Sequence, residues 1–311
     1  MDKIGVVAFP FNLSLKQKIL LKKKFKIKLK YFNIRKEKNN KYLRYFLKDC
    51  SGVIAGTEKY NKELLASLKN LKAIFRVGIG IDNIDLNYSK KKKIMVFNTP
   101  EAPSVSAAEY AVTLILDSIK GCTFSNNLTK KNKWERYEHN EFSNISIGII
   151  GLGRIGSRVL DLLVKLPFKK IYANDIDKKK LIKKYIKVNY CSKNYLLKKS
   201  NILTLHVPLT KKTKNFINKN SLSKLKFGSC IVNTSRGEVI NEKDLLLFFK
   251  KKYFGNVMLD VTQQEPYSGP LLKFDNCIIT PHNASMSNES RRKMVEGTLK
   301  NIEKIYPKAD V

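Results

Sequence analysis

The chain has 311 residues, 43% of them hydrophobic, which is enough for two domains with separate cores. Its formal net charge of +35 suggests nucleic acid, but the excess is spread along the chain: 24 Lys and Arg against 7 Asp and Glu in residues 1–100, 19 against 9 in 101–200, 18 against 10 in 201–311. Only 9 of the 61 basic residues are Arg, the usual choice for gripping phosphates, while Asn numbers 28, so the charge reads as compositional bias and no nucleic-acid partner is expected.

Along the chain, Ile4-Gly5-Val6-Val7-Ala8-Phe9 is a buried-strand candidate, too short and too close to Asp2 for a signal peptide. Lys24 to Lys30 alternates Lys with Phe25, Ile27 and Leu29, the periodicity of a strand with one wet face. Gly52–Gly56 reads as a strand ending, Leu64–Leu71 as a helix, and Ala73–Val77 as a strand running into Gly78-Ile79-Gly80. This β/α alternation implies a parallel sheet, in which the Val77–Gly80 loop is a candidate site wall. Pro100–Gly121 reads as one apolar helix, with Ser106-x-x-Glu109 as a capping box and Gly121 as its C-terminal stop. Apolar over most of its circumference, it is expected to be buried between domains or against a partner subunit. Thr123–Phe142, polar and carrying the single Trp134, reads as a connection.

The most specific signal follows. The run Ile147–Ile150 feeds into Gly151-Leu152-Gly153-Arg154-Ile155-Gly156, and Ile171–Asp175 reads as a second strand ending in an acid 19 residues beyond Gly156. This is the layout of a dinucleotide-binding βαβ unit: Gly151 for the tight turn, Gly153 for close approach to a pyrophosphate, Gly156 for helix–strand packing. The pyrophosphate would sit on the N-terminus of the helix starting near Arg154. Asp175 would bond both ribose hydroxyls and repel a 2′-phosphate, so NAD is favoured over NADP. Further strand candidates are Ile202–Val207, Cys230–Asn233, Val257–Asp260 and Cys277–Thr280, with Asn241 capping a helix to Lys252. Together they make a doubly wound sheet of six or so strands, whose polar strand ends should ring the cofactor. The five cysteines are scattered without C-x-x-C spacing, so free thiols in a reducing, cytoplasmic setting are expected and no metal site. No apolar run approaches membrane-spanning length, so no membrane partner is expected.

Three polar residues at strand or loop ends could carry chemistry: Arg236, Glu265 and His282. A nicotinamide enzyme acting on a carbonyl/alcohol pair needs a cation for a carboxylate, an acid/base for the hydroxyl proton, and a group that tunes it. Taken singly, Arg236 also reads as a surface ion pair, Glu265 as a loop residue and His282 as a structural histidine after a turn proline.

In combination, Arg76–Asp85, Asn98–Glu109, Gly151–Gly156, His206-Val207-Pro208-Leu209-Thr210, Asn233–Gly237, Glu265-Pro266 and Thr280-Pro281-His282 resemble the D-isomer-specific 2-hydroxyacid dehydrogenase family, in its 3-phosphoglycerate dehydrogenase-like branch, over nearly the whole chain. The resemblance implies two Rossmann-like doubly wound parallel-sheet domains. A discontinuous substrate domain (residues 1–98 with 285–311) would hold an inserted NAD-binding domain (99–284), usually dimerising. It implies that Arg236 binds the substrate carboxylate and keto oxygen, and that Val77 and Gly78 offer backbone N–H groups to that carboxylate. His282 would be the acid in reduction and the base in oxidation, with its pKa raised by Glu265. Arg154, Ile155, Asp175, His206, Val207, Thr234 and Asp260 would line the cofactor, Asp260 near the nicotinamide amide.

Where 3-phosphoglycerate-using members place arginines, after the strand Gly52–Gly56, this chain has Glu58 and Lys59, which disfavours a phosphorylated substrate and leaves Arg76 as the remaining phosphate ligand candidate. Pro103 stands where many members have Asn, and the 29 residues after His282 leave no expectation of a regulatory domain. The expected activity is hydride transfer between NAD and C2 of a D-2-hydroxy acid or 2-oxo acid by a cytoplasmic homodimer. The rival expectations are a 3-phosphoglycerate dehydrogenase and a catalytically weak NADH-sensing binding protein.

Overall fold

The computed structural model describes residues 1–8, 11–32, 40–177 and 188–306, and the chain divides into two units, Met1–Pro103 with Ser287–Val311 and Ser104–Met286.

In the first unit, β1 (Asp2–Val6), β2 (Ile27–Tyr31), β3 (Gly52–Ala55), β4 (Ala73–Arg76) and β5 (Met95–Phe97) form a parallel sheet in the order β2-β1-β3-β4-β5. β3 and β4 are buried along their whole length. Leu43, Leu47, Tyr60, Leu64 and Leu65 cover one face, and Leu21, Leu299, Ile302 and Tyr306 the other. Covered on both faces, the central strands read as unbroken apolar runs rather than alternating ones. The strand order reverses between β1 and β3, so the carboxyl ends of these strands flank the crevice where ligands bind in such sheets.

Several boundaries differ from expectation. β1 stops at Val6, and Phe9 lies outside the described residues. The alternating lysine run starts as helix: Leu15–Lys24 is opened by a capping box between Ser14 and Gln17, and β2 begins only after Lys26 turns left-handed at φ 49°. The helix expected at Leu64–Leu71 is Lys62–Ser67, started by Asn61, whose side chain accepts the Leu64 N–H. β5 was not anticipated, because a three-residue edge strand that is only partly buried leaves little periodic signal.

Among the described residues the second unit holds seven parallel strands: β6 (Ser146–Ile150), β7 (Lys170–Asn174), β8 (Val188–Tyr190), β9 (Ile202–Leu205), β10 (Cys230–Asn233), β11 (Val257–Leu259) and β12 (Cys277–Ile279). Their order is β12-β11-β10-β9-β6-β7-β8, with the reversal between β6 and β9. The short edge strand β8 is the one the sequence did not show. Helix Ser104–Lys120 starts two residues before the expected cap, so Ser106 is inside it and its Oγ donates to Ala284 O at 2.8 Å. The helix packs against helix Arg154–Leu163 and β10. Within this unit its apolar surface covers a face of the sheet. Gly121 does end it, at φ 63°. The expected connection contains a further helix, Cys122–Lys130, and Trp134 is 89% exposed. Among the described residues no helix is long and apolar enough to cross a membrane, all five cysteines are unpaired, and no cluster of His, Cys, Asp or Glu could hold a metal ion.

Candidate active site

The turn after β6 is built as the glycine spacing requires. Gly151 has φ 95° and donates to Asn174 O at 2.8 Å, which ties the turn to β7. A Cβ on Gly156 would stand 1.9 Å from Gly151 O, so only glycine lets the helix start this close to the strand. At Gly153 a Cβ would meet nothing within 4 Å, so the backbone there faces open space. Helix Arg154–Leu163 begins at Gly153 with no side-chain cap, which leaves N–H groups and the positive end of the helix dipole for an anion. Gly156→Ala should therefore cost about 1–3 kcal/mol of stability by overpacking and weaken NADH binding. Thermal unfolding and an NADH titration indistinguishable from the parent would contradict that packing.

Asp175 follows β7 and is drawn to the same turn. Its carboxylate accepts the Leu152 N–H at 2.6 Å and the Asp177 N–H at 2.8 Å. On the other side of β6, beyond β9, His206 donates its N–H to Ile150 O at 2.8 Å. Its carbonyl lies 2.6 Å, and a Val207 methyl 3.0 Å, from where a Gly151 Cβ would be. The His206 imidazole is joined to Thr204 Oγ1 at 2.9 Å through Nε2, and burial pushes its pKa down to about 4, so it is neutral. Its Nδ1, and Oγ1 of Thr234 beyond β10, are buried without a hydrogen-bond partner among the described residues. An open glycine, an uncapped helix and two unsatisfied polar atoms at the carboxyl ends of neighbouring strands fit a polar dinucleotide.

The three candidate chemical groups sit on adjacent loops of this unit. Gly237 packs against the Thr262 backbone so closely that a Cβ would be 2.0 Å from its carbonyl carbon, which brings the loops carrying Arg236 and Glu265 together. Arg236 Nη1 donates to Ser235 O at 2.6 Å, and Asn233 Nδ2 donates to Arg236 O at 2.9 Å. His282 Nδ1 lies 2.9 Å from Glu265 Oε2, with the two side chains 33% and 37% exposed, and Glu265 Oε1 accepts the Thr262 N–H at 3.4 Å. Desolvation alone would raise the Glu265 carboxyl. The hydrogen bond and charge of His282, the Thr262 N–H and the Arg236 charge outweigh it and hold the group below its ordinary range.

His282 has φ 55°, a left-handed conformation that costs a non-glycine residue on the order of 1 kcal/mol. Asp260, 1% exposed at the end of β11, surrounds it with hydrogen bonds. The Asp260 carbonyl accepts the His282 N–H at 2.9 Å. Its Oδ1 accepts Thr280 Oγ1–H at 2.6 Å and the Asn283 N–H at 2.7 Å, and its Oδ2 accepts the Ala284 N–H at 2.9 Å. Burial pushes the Asp260 carboxyl up, and these donors reduce the rise without cancelling it. Expected at the nicotinamide, Asp260 spends three acceptor sites on the histidine loop and keeps free acceptor capacity on Oδ2. Nothing in its sequence context signalled this second set of partners.

In the first unit the expected donor groups are already engaged. Val77 N–H donates to Ala55 O at 3.0 Å and Gly78 N–H to Thr99 Oγ1 at 2.9 Å, so neither is available to a carboxylate. The next two, Ile79 and Gly80, have N–H groups without a partner among the described residues. Arg76 is 8% exposed, with its guanidinium packed against Gly78, 2.8 Å from where a Cβ would be. Glu58 turns its carboxylate onto Gly56 N–H at 2.9 Å, at the carboxyl end of β3.

Residues 112–284 match the family model described as D-isomer specific 2-hydroxyacid dehydrogenase, NAD binding domain. A D-3-phosphoglycerate dehydrogenase of Archaeoglobus fulgidus is 35% identical over 77% of this chain, which spans about half of that relative's length (46%). A hydroxypyruvate reductase of Thermotoga maritima is 35% identical over 82% of this chain and 83% of its own. A D-lactate dehydrogenase of Aquifex aeolicus, solved with NAD and lactic acid, superposes with a TM-score of 0.82 at 28% identity, over 97% of this chain and 95% of that one.

Proposed function

We propose the following reaction for this chain, which belongs to the D-isomer-specific 2-hydroxyacid dehydrogenase family and carries its NAD-binding domain: reversible hydride transfer between NAD and C2 of an unphosphorylated D-2-hydroxy acid or 2-oxo acid. The observation that carries it is the Glu265–His282 pair at 2.9 Å, part-exposed, on the unit whose glycine turn fits the cofactor. Gly151, Gly153, Arg154, Ile155 and Gly156 would hold the pyrophosphate, Asp175 the ribose, and His206, Val207, Thr234 and Asp260 the remaining polar edge. Bound NADH supplies the hydride. Arg236 holds the substrate carboxylate and polarises the keto oxygen, His282 gives that oxygen its proton, and Glu265 keeps the imidazole oriented for the transfer. In the first unit the N–H groups of Ile79 and Gly80, rather than Val77 and Gly78, are the donors available to a carboxylate. Glu58 at the β3 end speaks against a phosphorylated substrate. We place the protein in the cytoplasm, in keeping with its five unpaired cysteines, and read it as a homodimer from the family resemblance.

The test is NADH oxidation with glyoxylate, hydroxypyruvate, pyruvate and phosphohydroxypyruvate. Turnover of one of the first three fits the proposal. A preference for the phosphorylated acid would return the 3-phosphoglycerate reading, and NADH binding without turnover would make the protein a sensor. Cofactor choice is a separate expected result. Asp175 should make kcat/KM higher with NADH than with NADPH, and Asp175→Ala should relax the preference. Equal efficiency of the parent with both cofactors would show that Asp175 does not read the ribose.

A further inference from the structure

We propose that Asp260 is a positioning residue for His282: its buried carboxylate and carbonyl together hold the loop Thr280–Ala284 in the left-handed conformation that presents the imidazole to Glu265. This rests on the reading of His282 as the proton carrier. The loop follows β12 and Asp260 follows β11, and the pairing of Leu259 with Ile279 places them side by side. Four hydrogen bonds of 2.6–2.9 Å then converge on one residue from Thr280, His282, Asn283 and Ala284. Three of the donors are backbone N–H groups on consecutive residues, and they fix the backbone on both sides of the His282 Cα. At φ 55° a non-glycine residue keeps its conformation only if its surroundings over-determine it, and here Asp260 supplies those surroundings. The imidazole direction follows from that backbone, so Asp260 controls the His282–Glu265 distance without touching either ring or carboxylate.

The carboxylate is needed because both oxygens accept. An asparagine offers one acceptor oxygen and an NH2 group, so Asp260→Asn turns a donor toward a backbone N–H on one side. A catalytic group displaced by about 1 Å loses on the order of 10²-fold in rate, and that is the loss expected in kcat/KM for Asp260→Asn. NADH affinity, followed by protein fluorescence, should fall far less than kcat/KM.

A double-mutant cycle decides the route of the effect. In a His282→Ala background, Asp260→Asn should lower kcat/KM no further, because there is no imidazole left to position. Additive losses, or a loss of NADH affinity as large as the loss of activity, would show that Asp260 acts on the cofactor and overturn the proposal. A second readout does not depend on turnover. The His282 ring-nitrogen NMR resonances, assigned by their disappearance in His282→Ala, should move on Asp260→Asn. Were the parent inactive with every acid offered, the functional reading would fail, while unmoved resonances would overturn the positioning role itself. If Asp260→Asn does not fold, Thr280→Val removes one donor from Oδ1 with no change of charge. It should shift the same resonances and lower kcat at an unchanged melting temperature, and a parent-like kcat with unmoved resonances would overturn the proposal.

Discussion

Replacement of His282 by Ala is expected to lower turnover of the preferred 2-oxo acid by roughly 10²–10⁴-fold while NADH still binds. Reduction needs a proton at the keto oxygen as the hydride arrives, and the imidazole is the part-exposed group built to deliver one. Glu265 orients the imidazole for that delivery through its 2.9 Å contact with Nδ1. Glu265→Gln should therefore lower kcat while NADH still binds. A parent-like kcat would show that the contact does not position the reacting group. The same pair has a consequence for stability. The Glu265 carboxyl is held below its ordinary range in the folded protein. Its contribution is therefore present above the unfolded-state value, near 4.3, and is lost as pH falls through the folded-state value. Glu265→Gln should lack that part of the acid sensitivity, which melting curves taken from neutral to acidic pH would show.

Arg236→Lys should cost on the order of 10²-fold or more in kcat/KM, about 3 kcal/mol of transition-state binding, with little change in NADH affinity. Lysine keeps the charge but not the planar fork that meets a carboxylate with two parallel N–H groups. The fork here is aimed from a short loop: Nη1 is anchored on Ser235 O, and the loop is clamped by Gly237 against Thr262. Near-parent activity in Arg236→Lys would mean that another group holds the carboxylate.

The sequence by itself determined the two parallel α/β sheets and the glycine turn. Strands covered on both faces must be apolar along nearly all their length, as Ile147–Ile150 is and as Ile202–Leu205 is but for Thr204, and a turn against a helix start must be glycine where a Cβ would strike the carbonyl of Gly151. These are local demands, so they are written locally. The edge strands Met95–Phe97 and Val188–Tyr190 escaped because three half-covered residues carry no period, while the alternation in Lys24–Lys30 did mark a strand, displaced to Ile27–Tyr31 because a helix runs to Lys24. Tertiary structure alone decided which polar groups are free. Val77 and Gly78 look like donors in the sequence, but the pairing of β3 with β4 hands the first to Ala55, and Thr99 takes the second. Asp260 looks like a ligand residue alone, and the pairing of β11 with β12 gives its carboxylate a second set of partners on the His282 loop. A hydrogen bond belongs to two residues at once, and the second is chosen by the sheet register, which no single stretch of sequence contains.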